Sequence, residues 1–134
     1  MQTILRIIER AGGWNPSLFL KIENAPYMAL TIEAIEEGPS GLPTVSVTHY
    51  GEQNGDLMRD PEMCFEIRDG ELDPYYYRSD YAGVEQWSRN LVSGKYVQLA
   101  NLHAQHQRFA KVWDNNLRCQ GFEEAFDPNK PVSG

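Results

Sequence analysis

Residues 44–68 read TVSVTHYGEQNGDLMRDPEMCFEIR, and this stretch decides the fold. Residues 44–50 alternate β-branched and polar side chains, which is typical of a half-buried strand. Asn54-Gly55 then predicts a tight reversal, because both residues tolerate positive φ. The alternation resumes over residues 62–68, so the stretch predicts an antiparallel hairpin. The side chains predicted to face the core are Met63, Phe65 and Ile67, and those predicted to face outward are Glu62, Cys64, Glu66 and Arg68.

Further runs with a strand period flank this hairpin, and helical periods lie towards the two ends of the chain. Residues 2–11 predict a short amphipathic helix, and residues 96–119 predict the longest helix. Residues 84–89 fit either a strand or the beginning of a helix. This order predicts an α+β fold with a short N-terminal helix, an antiparallel meander of about five or six strands, and a long C-terminal helix packed on one sheet face. The other predicted strands cover residues 18–23, 28–34 and 72–78.

The length of 134 residues is that of a single domain. We expect one α+β domain over residues 1–122 and a poorly ordered C-terminal tail over residues 123–134, whose last part combines Pro and Gly with few apolar side chains. No apolar run approaches the ~20 residues that a membrane span needs. The N-terminus also lacks the order of regions found in a signal peptide, so we expect a cytoplasmic protein. Cys64 and Cys119 are expected to be reduced thiols.

The charge of the chain is concentrated in its centre. Residues 52–85 contain ten acidic residues against Arg59, Arg68 and Arg78, a balance of −7 that equals the formal charge of the whole chain. An acidic field attracts cations and basic protein surfaces and repels nucleic acid. We therefore expect a basic protein partner and no direct binding of nucleic acid.

Aromatic side chains accompany these charges. Packing within the sheet is the simplest role for the five aromatic side chains at positions 75, 76, 77, 81 and 87. Tyr and Trp side chains that face outward can also supply a large contact area to a partner at low entropic cost. The leading hypothesis is a non-enzymatic interaction module with an acidic, aromatic-bearing surface. An exposed edge strand with aromatic side chains also suits a homodimer. The predicted partner-binding residues are Glu62, Glu66, Tyr76, Tyr81, Glu85 and Trp87.

The central carboxylates admit a second hypothesis, a divalent-metal-dependent hydrolase. Asp56, Asp60 and Glu62, with His49 as a fourth catalytic residue, would converge at one end of the hairpin to bind Mg²⁺ or Mn²⁺, which would activate water. A direct small-molecule site is a third interpretation. Structural roles are simpler: Asp56 caps the turn, and Asp60-Pro61 sets the entry to the next strand. The leading hypothesis therefore has no catalytic residue and no cofactor.

The histidines also favour structural roles. His49 shares its phase with Val45 and Val47, which predicts a hydrogen-bonded imidazole in the core. His103 and His106 lie three residues apart on the last predicted helix. At this spacing both could bind a metal ion, but no carboxylate lies within that helical turn to complete a site. We therefore predict that both are surface residues.

Two blocks resemble a family of uncharacterised bacterial domains found on phages, plasmids and integrative elements. Residues 49–65 carry the pattern HY-x-x-QNGDLM-x-DPEM-x-F, and residues 77–86 resemble its second block, Y-x-x-DY-x-GV-x-Q. The resemblance implies a mobile-element setting and no assigned activity. In that setting, one form of the interaction hypothesis is a host-defence inhibitor that presents acidic side chains in place of phosphates.

Overall fold

The computed structural model describes residues 1–129. Within these residues, three helices and eight strands follow one another. The helices are α1 (Gln2–Arg10), α2 (Ala100–Cys119) and α3 (Phe122–Ala125). The strands are β1 (Phe19–Asn24), β2 (Tyr27–Ile35), β3 (Thr44–Gln53), β4 (Asp56–Arg68), β5 (Glu71–Ser79), β6 (Val84–Trp87), β7 (Arg89–Val92) and β8 (Lys95–Gln98).

Strands β1 to β6 form one antiparallel sheet in sequence order, and β7 pairs with β8 in a separate hairpin. The turn predicted at Asn54-Gly55 joins β3 to β4, with φ of 53° and 84°. These left-handed values explain why Asn and Gly occupy the turn. The α+β architecture predicted from the sequence, with its six-stranded meander, short first helix and long helix α2, is confirmed.

All three helices contribute to the core, which lies on one face of the sheet that we call the inner face. Met63 and Phe65 of β4 are fully buried there, as predicted, beside side chains from α1 and α2. The burial follows from the two-residue period of the strands, which places alternate side chains on the same face. The other fully or nearly buried core residues include Ile4, Ile7, Leu30, Ile32, Val45, Val47, Trp113, Leu117 and Phe122.

The domain extends further than residues 1–122. Helix α3 covers residues 122–125, and Phe126 is buried in the same core. Arg10 of α1 donates hydrogen bonds to the carbonyl oxygens of Glu123 (2.8 Å) and Phe126 (3.3 Å). The predicted start of the tail at residue 123 is therefore too early, because two phenylalanines anchor this segment. Residues 130–134 of the predicted tail lie outside the described part of the chain.

The hairpin β7–β8 corrects a second boundary. Residues 96–98 are predicted to begin the long helix, but they belong to β8, and α2 begins at Ala100. The reversal at Ser93-Gly94 has positive φ at both residues, 53° and 78°, which suits a two-residue hairpin turn. Leu91 and Tyr96 are directly opposed in the hairpin and both are exposed. Tyr96, which the helical period assigns to one face of the long helix, therefore belongs to a surface hairpin.

The face of the sheet opposite the helices, here called the outer face, is not uniformly open to solvent. Cys64 and Glu66 were predicted to face outward, and both are buried on this side of β4. The loop between β2 and β3 covers Glu66 so closely that a Cβ placed on Gly38 would be 2.4 Å from Glu66 Cγ. Glu66 therefore cannot contact a partner, and its assignment to the binding surface is wrong. Within residues 1–129, no helix is both long and apolar enough to span a membrane.

Candidate functional site

Four of the predicted partner-binding residues lie close together on the outer face. Tyr76 pairs with Trp87 across β5 and β6, and their ring centroids are 4.5 Å apart. Tyr76 Oη donates a short hydrogen bond to Glu85 Oε2, and Glu62 lies opposite Arg78 in the next strand pair. Tyr81 packs elsewhere, over Gly51 of β3: a Cβ on that glycine would be 2.7 Å from Tyr81 Oη.

The acidic side chains of this region are largely paired with arginines. Arg59 Nε lies 3.3 Å from Glu62, and Arg78 Nε donates to Asp80 at 2.7 Å. Arg78 also lies 3.6 Å from Glu85, whose side chain is half exposed. The pKa of Asp80 is lowered because it accepts hydrogen bonds from the backbone N–H of Arg59 and from the side chain of Arg78. Glu62 and Asp80 are thus held against arginines and largely buried, which leaves Glu85 as the most exposed of these three acids.

The four residues of the metal hypothesis do not come together. Asp56 pairs with Gln53 at the tip of the hairpin, whereas Glu62 is six residues further along the strand, roughly 20 Å away at about 3.3 Å per residue. Glu62 Oε2 accepts a hydrogen bond from Ser46 Oγ at 2.7 Å. Asp60 Oδ1 is within 3.4 Å of Ser79 Oγ. In the part of the chain that the structure describes, no group of three or more His, Cys, Asp or Glu side chains is arranged to hold an ion.

His49 occupies the core position that its phase predicts. Its side chain is buried, and Nδ1 is 3.2 Å from the carbonyl oxygen of Ala29. The ring packs at 5.6 Å from Trp113 and 5.5 Å from Phe122. Burial lowers the pKa of His49, although the hydrogen bonds with the backbone partly oppose the effect. A neutral imidazole enclosed by aromatic rings is a packing residue.

The outer face carries an open groove beside Trp87, here called the Trp87 groove, with a volume of about 420 Å³. Its apolar surface comes from the end of β2, the β2–β3 loop, β5, β6 and β7. Glu36 and Glu37 are exposed at its rim, and none of the residues that line it is Lys or Arg. Tyr75 and Trp87 lie with ring centroids 6.3 Å apart. The lining residues are Ile35, Glu36, Glu37, Gly38, Pro39, Tyr75, Trp87, Asn90 and Leu91.

A second cavity of about 470 Å³, here called the Arg68 cleft, is polar. It lies where the β2–β3 loop, the hairpin β7–β8 and the beginning of α2 meet around the ends of β4 and β5. Pro39 lines both cavities. The residues that line the cleft are Pro39, Ser40, Arg68, Asp73, Arg89, Tyr96, Gln98 and His103.

A buried ion pair forms the base of this cleft. The side chains of Arg89 and Glu66 are 1% and 0% exposed, and Arg89 Nη1 donates to Glu66 Oε1 at 2.5 Å. The other oxygen of Glu66 accepts the backbone N–H groups of Ser40 (2.9 Å) and Leu42 (3.3 Å). Arg89 also donates to two backbone carbonyls, those of Pro74 and Asp73. A buried pair persists when its remaining hydrogen-bonding groups are satisfied in this way.

The charge state of Arg89 follows from these contacts. Burial by itself lowers the pKa of Arg89, but hydrogen bonds with Tyr96 and Glu66 and the charge of Asp73 more than offset it. The pKa of Arg89 is therefore raised, and the guanidinium is charged at every physiological pH.

His103 and Asp73 form a hydrogen-bonded pair at the side of the cleft. His103 Nε2 is 2.6 Å from Asp73 Oδ1, and Asp73 Oδ2 is 3.3 Å from Arg68 Nε and 3.4 Å from Arg89 Nη2. The prediction that both helix histidines lie on the surface is wrong. His106 is buried and contacts Gln86 Oε1 at 3.0 Å, whereas His103 is largely buried against β5.

Sequence reasoning missed most of this cleft. No carboxylate lies within the helical turn of His103, because its partner Asp73 is thirty residues away in the chain. Arg89 is the last residue of the segment 84–89, which fits either a strand or the beginning of a helix. No local pattern marks a residue whose partners come from three distant segments.

Comparison with curated proteins and with solved structures finds no match for this chain. A family model described as Domain of unknown function (DUF6908) matches residues 2–123, which include every residue of the groove and the cleft. The chain therefore belongs to this family.

Proposed function

We propose that this protein is a non-enzymatic interaction module that binds a basic segment of a partner protein in the Trp87 groove. An apolar side chain of the partner contacts Trp87, Tyr75 and Leu91, while basic side chains face the rim. The observation that carries the proposal is the composition of the groove: an apolar floor, two exposed carboxylates at the rim, and no basic residue among those that line it.

Physical chemistry supports this choice of partner. Tyr and Trp in a pocket are frequent anchors of protein interfaces, because they bury large areas. Trp87 is 43% exposed and Leu91 53%, so both have surface left to bury. Carboxylates at a rim attract basic side chains, accelerate association and disfavour acidic partners. Glu85, beside Trp87 in β6, adds a third half-exposed carboxylate to this side of the sheet.

The biological setting is part of the proposal. The two sequence blocks that resemble mobile-element domains favour a cytoplasmic protein of a phage, plasmid or integrative element. In that setting the partner is a host protein whose basic surface normally contacts nucleic acid, and binding inhibits a host defence. The proposed partner-binding surface differs from the one predicted from the sequence: Trp87 and Glu85 remain, Glu66 and Tyr76 are excluded by burial, Glu62 and Tyr81 lie outside the groove, and Glu36, Glu37 and Leu91 join it.

The test is binding of fluorescent peptides that carry one Leu or Trp among Lys and Arg residues, measured by anisotropy. We expect saturable binding that weakens as salt is added, and a loss of about tenfold or more in Trp87→Ala, a usual effect for an interface anchor. The double variant Glu36→Gln, Glu37→Gln should reduce the salt dependence. Leu57→Ala is the matched control, because Leu57 is 72% exposed at the tip of the β3–β4 hairpin, outside the groove.

Stability must be followed in parallel, because Trp87 also packs on Tyr76. Leu91→Ser supplies a second variant whose side chain is exposed. Equal affinity of the wild type, Trp87→Ala and Leu91→Ser for every basic peptide would overturn the proposal.

A further inference from the structure

The Arg68 cleft is a second cavity with a different chemistry, and the proposed function does not use it. Its walls carry several hydrogen-bond donors: the guanidinium groups of Arg68 and Arg89, the hydroxyl of Ser40 and the amide nitrogen of Gln98. A cleft of this composition favours a ligand that accepts hydrogen bonds and carries negative charge.

The carboxylates of the cleft are already engaged. Both oxygens of Asp73 contact cationic or imidazole nitrogens, at 2.6 Å to His103, 3.3 Å to Arg68 and 3.4 Å to Arg89. Both oxygens of Glu66 accept hydrogen bonds as well, from Arg89 and from the backbone of the β2–β3 loop. The acceptors are therefore occupied, and donors remain.

Arg68 is the donor best placed to meet a ligand. Its side chain is 42% exposed, in contrast to Arg89, and two of its nitrogens are fixed by Asp73 Oδ2 and by Ser40 Oγ at 2.9 Å. Its Nη1 has no hydrogen-bond partner among residues 1–129. Planar guanidinium groups held in this way bind phosphate and carboxylate oxygens with two parallel hydrogen bonds.

The remaining groups are held in place before any ligand arrives. Arg89 is fixed by Glu66 and two carbonyl oxygens, and Tyr96 Oη lies 3.5 Å from Arg89 Nη1. His103 Nε2 is engaged by Asp73, and Tyr96 Oη donates to Gln98 Oε1 at 3.3 Å, so both side chains hold the walls of the cleft in place. Since the side chains lose little freedom on binding, the cost of ordering them is small.

We infer that the Arg68 cleft is a binding site for a small oxyanion-bearing ligand, a phosphate monoester or a carboxylate, held by Arg68 with support from the hydroxyl of Ser40 and the amide nitrogen of Gln98. The cavity of about 470 Å³ accommodates a small organic molecule in addition to the anionic group. This inference is independent of the partner-binding groove, because the anion contacts Arg68 and Ser40, which do not line that groove.

The test is a titration of ¹⁵N-labelled protein with inorganic phosphate, with methyl phosphate and with acetate, followed by NMR at the Arg Nε–H and His ring resonances. We expect saturable shifts at Arg68 and His103, and the order of affinities distinguishes phosphate from carboxylate. Arg68→Gln should weaken binding by about tenfold or more, because it removes charge-assisted hydrogen bonds.

The matched control is Arg78→Gln. Arg78 has a similarly exposed side chain and also pairs with an aspartate, but it does not line the cleft. A saturable shift of the His103 ring resonances that Arg78→Gln leaves unchanged and Arg68→Gln abolishes supports the site. Shifts that increase linearly without saturation, or equal binding by both variants, would overturn it. Trp87→Ala should bind the anions normally, so failure of this site and failure of the groove are separable.

Discussion

At the scale of single residues, the buried pair of Glu66 and Arg89 has the largest consequences. Removing one partner of such a pair leaves an uncompensated charge in the interior, which costs far more than losing an ion pair at the surface. Glu66 also accepts hydrogen bonds from the backbone N–H groups of Ser40 and Leu42. One side chain thus connects β4, the β2–β3 loop and the beginning of β7.

Glu66→Gln should lower the free energy of unfolding by up to about 3–5 kcal/mol, because the isosteric amide removes the buried partner of Arg89 and leaves Asp73, at 3.4 Å, as its counter-charge. The comparison is Glu85→Gln, which removes a half-exposed carboxylate and should cost less than about 1 kcal/mol. Urea unfolding at neutral pH measures both. Equal unfolding free energies for the two variants would mean that the buried pair of Glu66 and Arg89 stabilises the fold no more than a half-exposed carboxylate does.

The buried histidines predict how stability depends on pH. Burial lowers the pKa of His49, and burial together with the charge of His103 lowers that of His106. The unfolded chain binds protons below a pH of about 6.5 while these folded imidazoles remain neutral, so the folded state loses stability as pH falls below that value.

His49→Asn should make the stability less dependent on pH between about 7 and 5. The slope of unfolding free energy against pH should decrease by up to about 1.4 kcal/mol per pH unit, the effect of one proton. Urea unfolding at a series of pH values measures it, with wild type as the reference. An unchanged slope would mean that His49 gains its proton over the same pH range in the folded protein as in the unfolded chain.

At the scale of elements, the β2–β3 loop separates the groove from the cleft and depends on one glycine. Gly38 packs on Glu66 without room for a side chain. The sequence gives no reason for glycine at this position, because the neighbour that requires it is 28 residues away. The same limit applies to β8, where Tyr96 fits a helical period as well as a strand.

Gly38→Ala should destabilise the protein by about 1–3 kcal/mol, the usual cost of overpacking a closed site. A Cβ there would be 2.4 Å from Glu66 Cγ and 2.7 Å from its carboxylate carbon, in a side chain with no freedom to move. Gly51→Ala is the matched control: its Cβ would meet the hydroxyl of Tyr81, which is 47% exposed and can rotate away. Thermal unfolding of both variants should show a clear decrease in Tm for Gly38→Ala alone.

At the scale of the whole molecule, the period of the strands and the turn residues were sufficient to predict the α+β fold. The charge pattern was not sufficient to predict the site. Five of the ten central acids form ion pairs, and the partners of Glu66 and Asp73 include Arg89 and His103, which come from later elements. Tertiary pairing decides which charges remain available, and it cannot be read from spacing along the chain. Trp87 lies on the outer face, where the strand period of β6 places it, and its part in binding stays a prediction.

The three tryptophans provide a direct test of the central claim that the Trp87 groove binds a basic segment. Trp113 is buried, and Trp14 Nε1 donates to the carbonyl oxygen of Thr44 at 2.8 Å, so neither is expected to contact a ligand in the groove. The measurement is the shift of the three indole N–H resonances as a Lys- and Arg-rich peptide with one Leu is added. The account predicts a large, saturable shift of the Trp87 indole alone, whereas saturable binding that leaves Trp87 unmoved would contradict it.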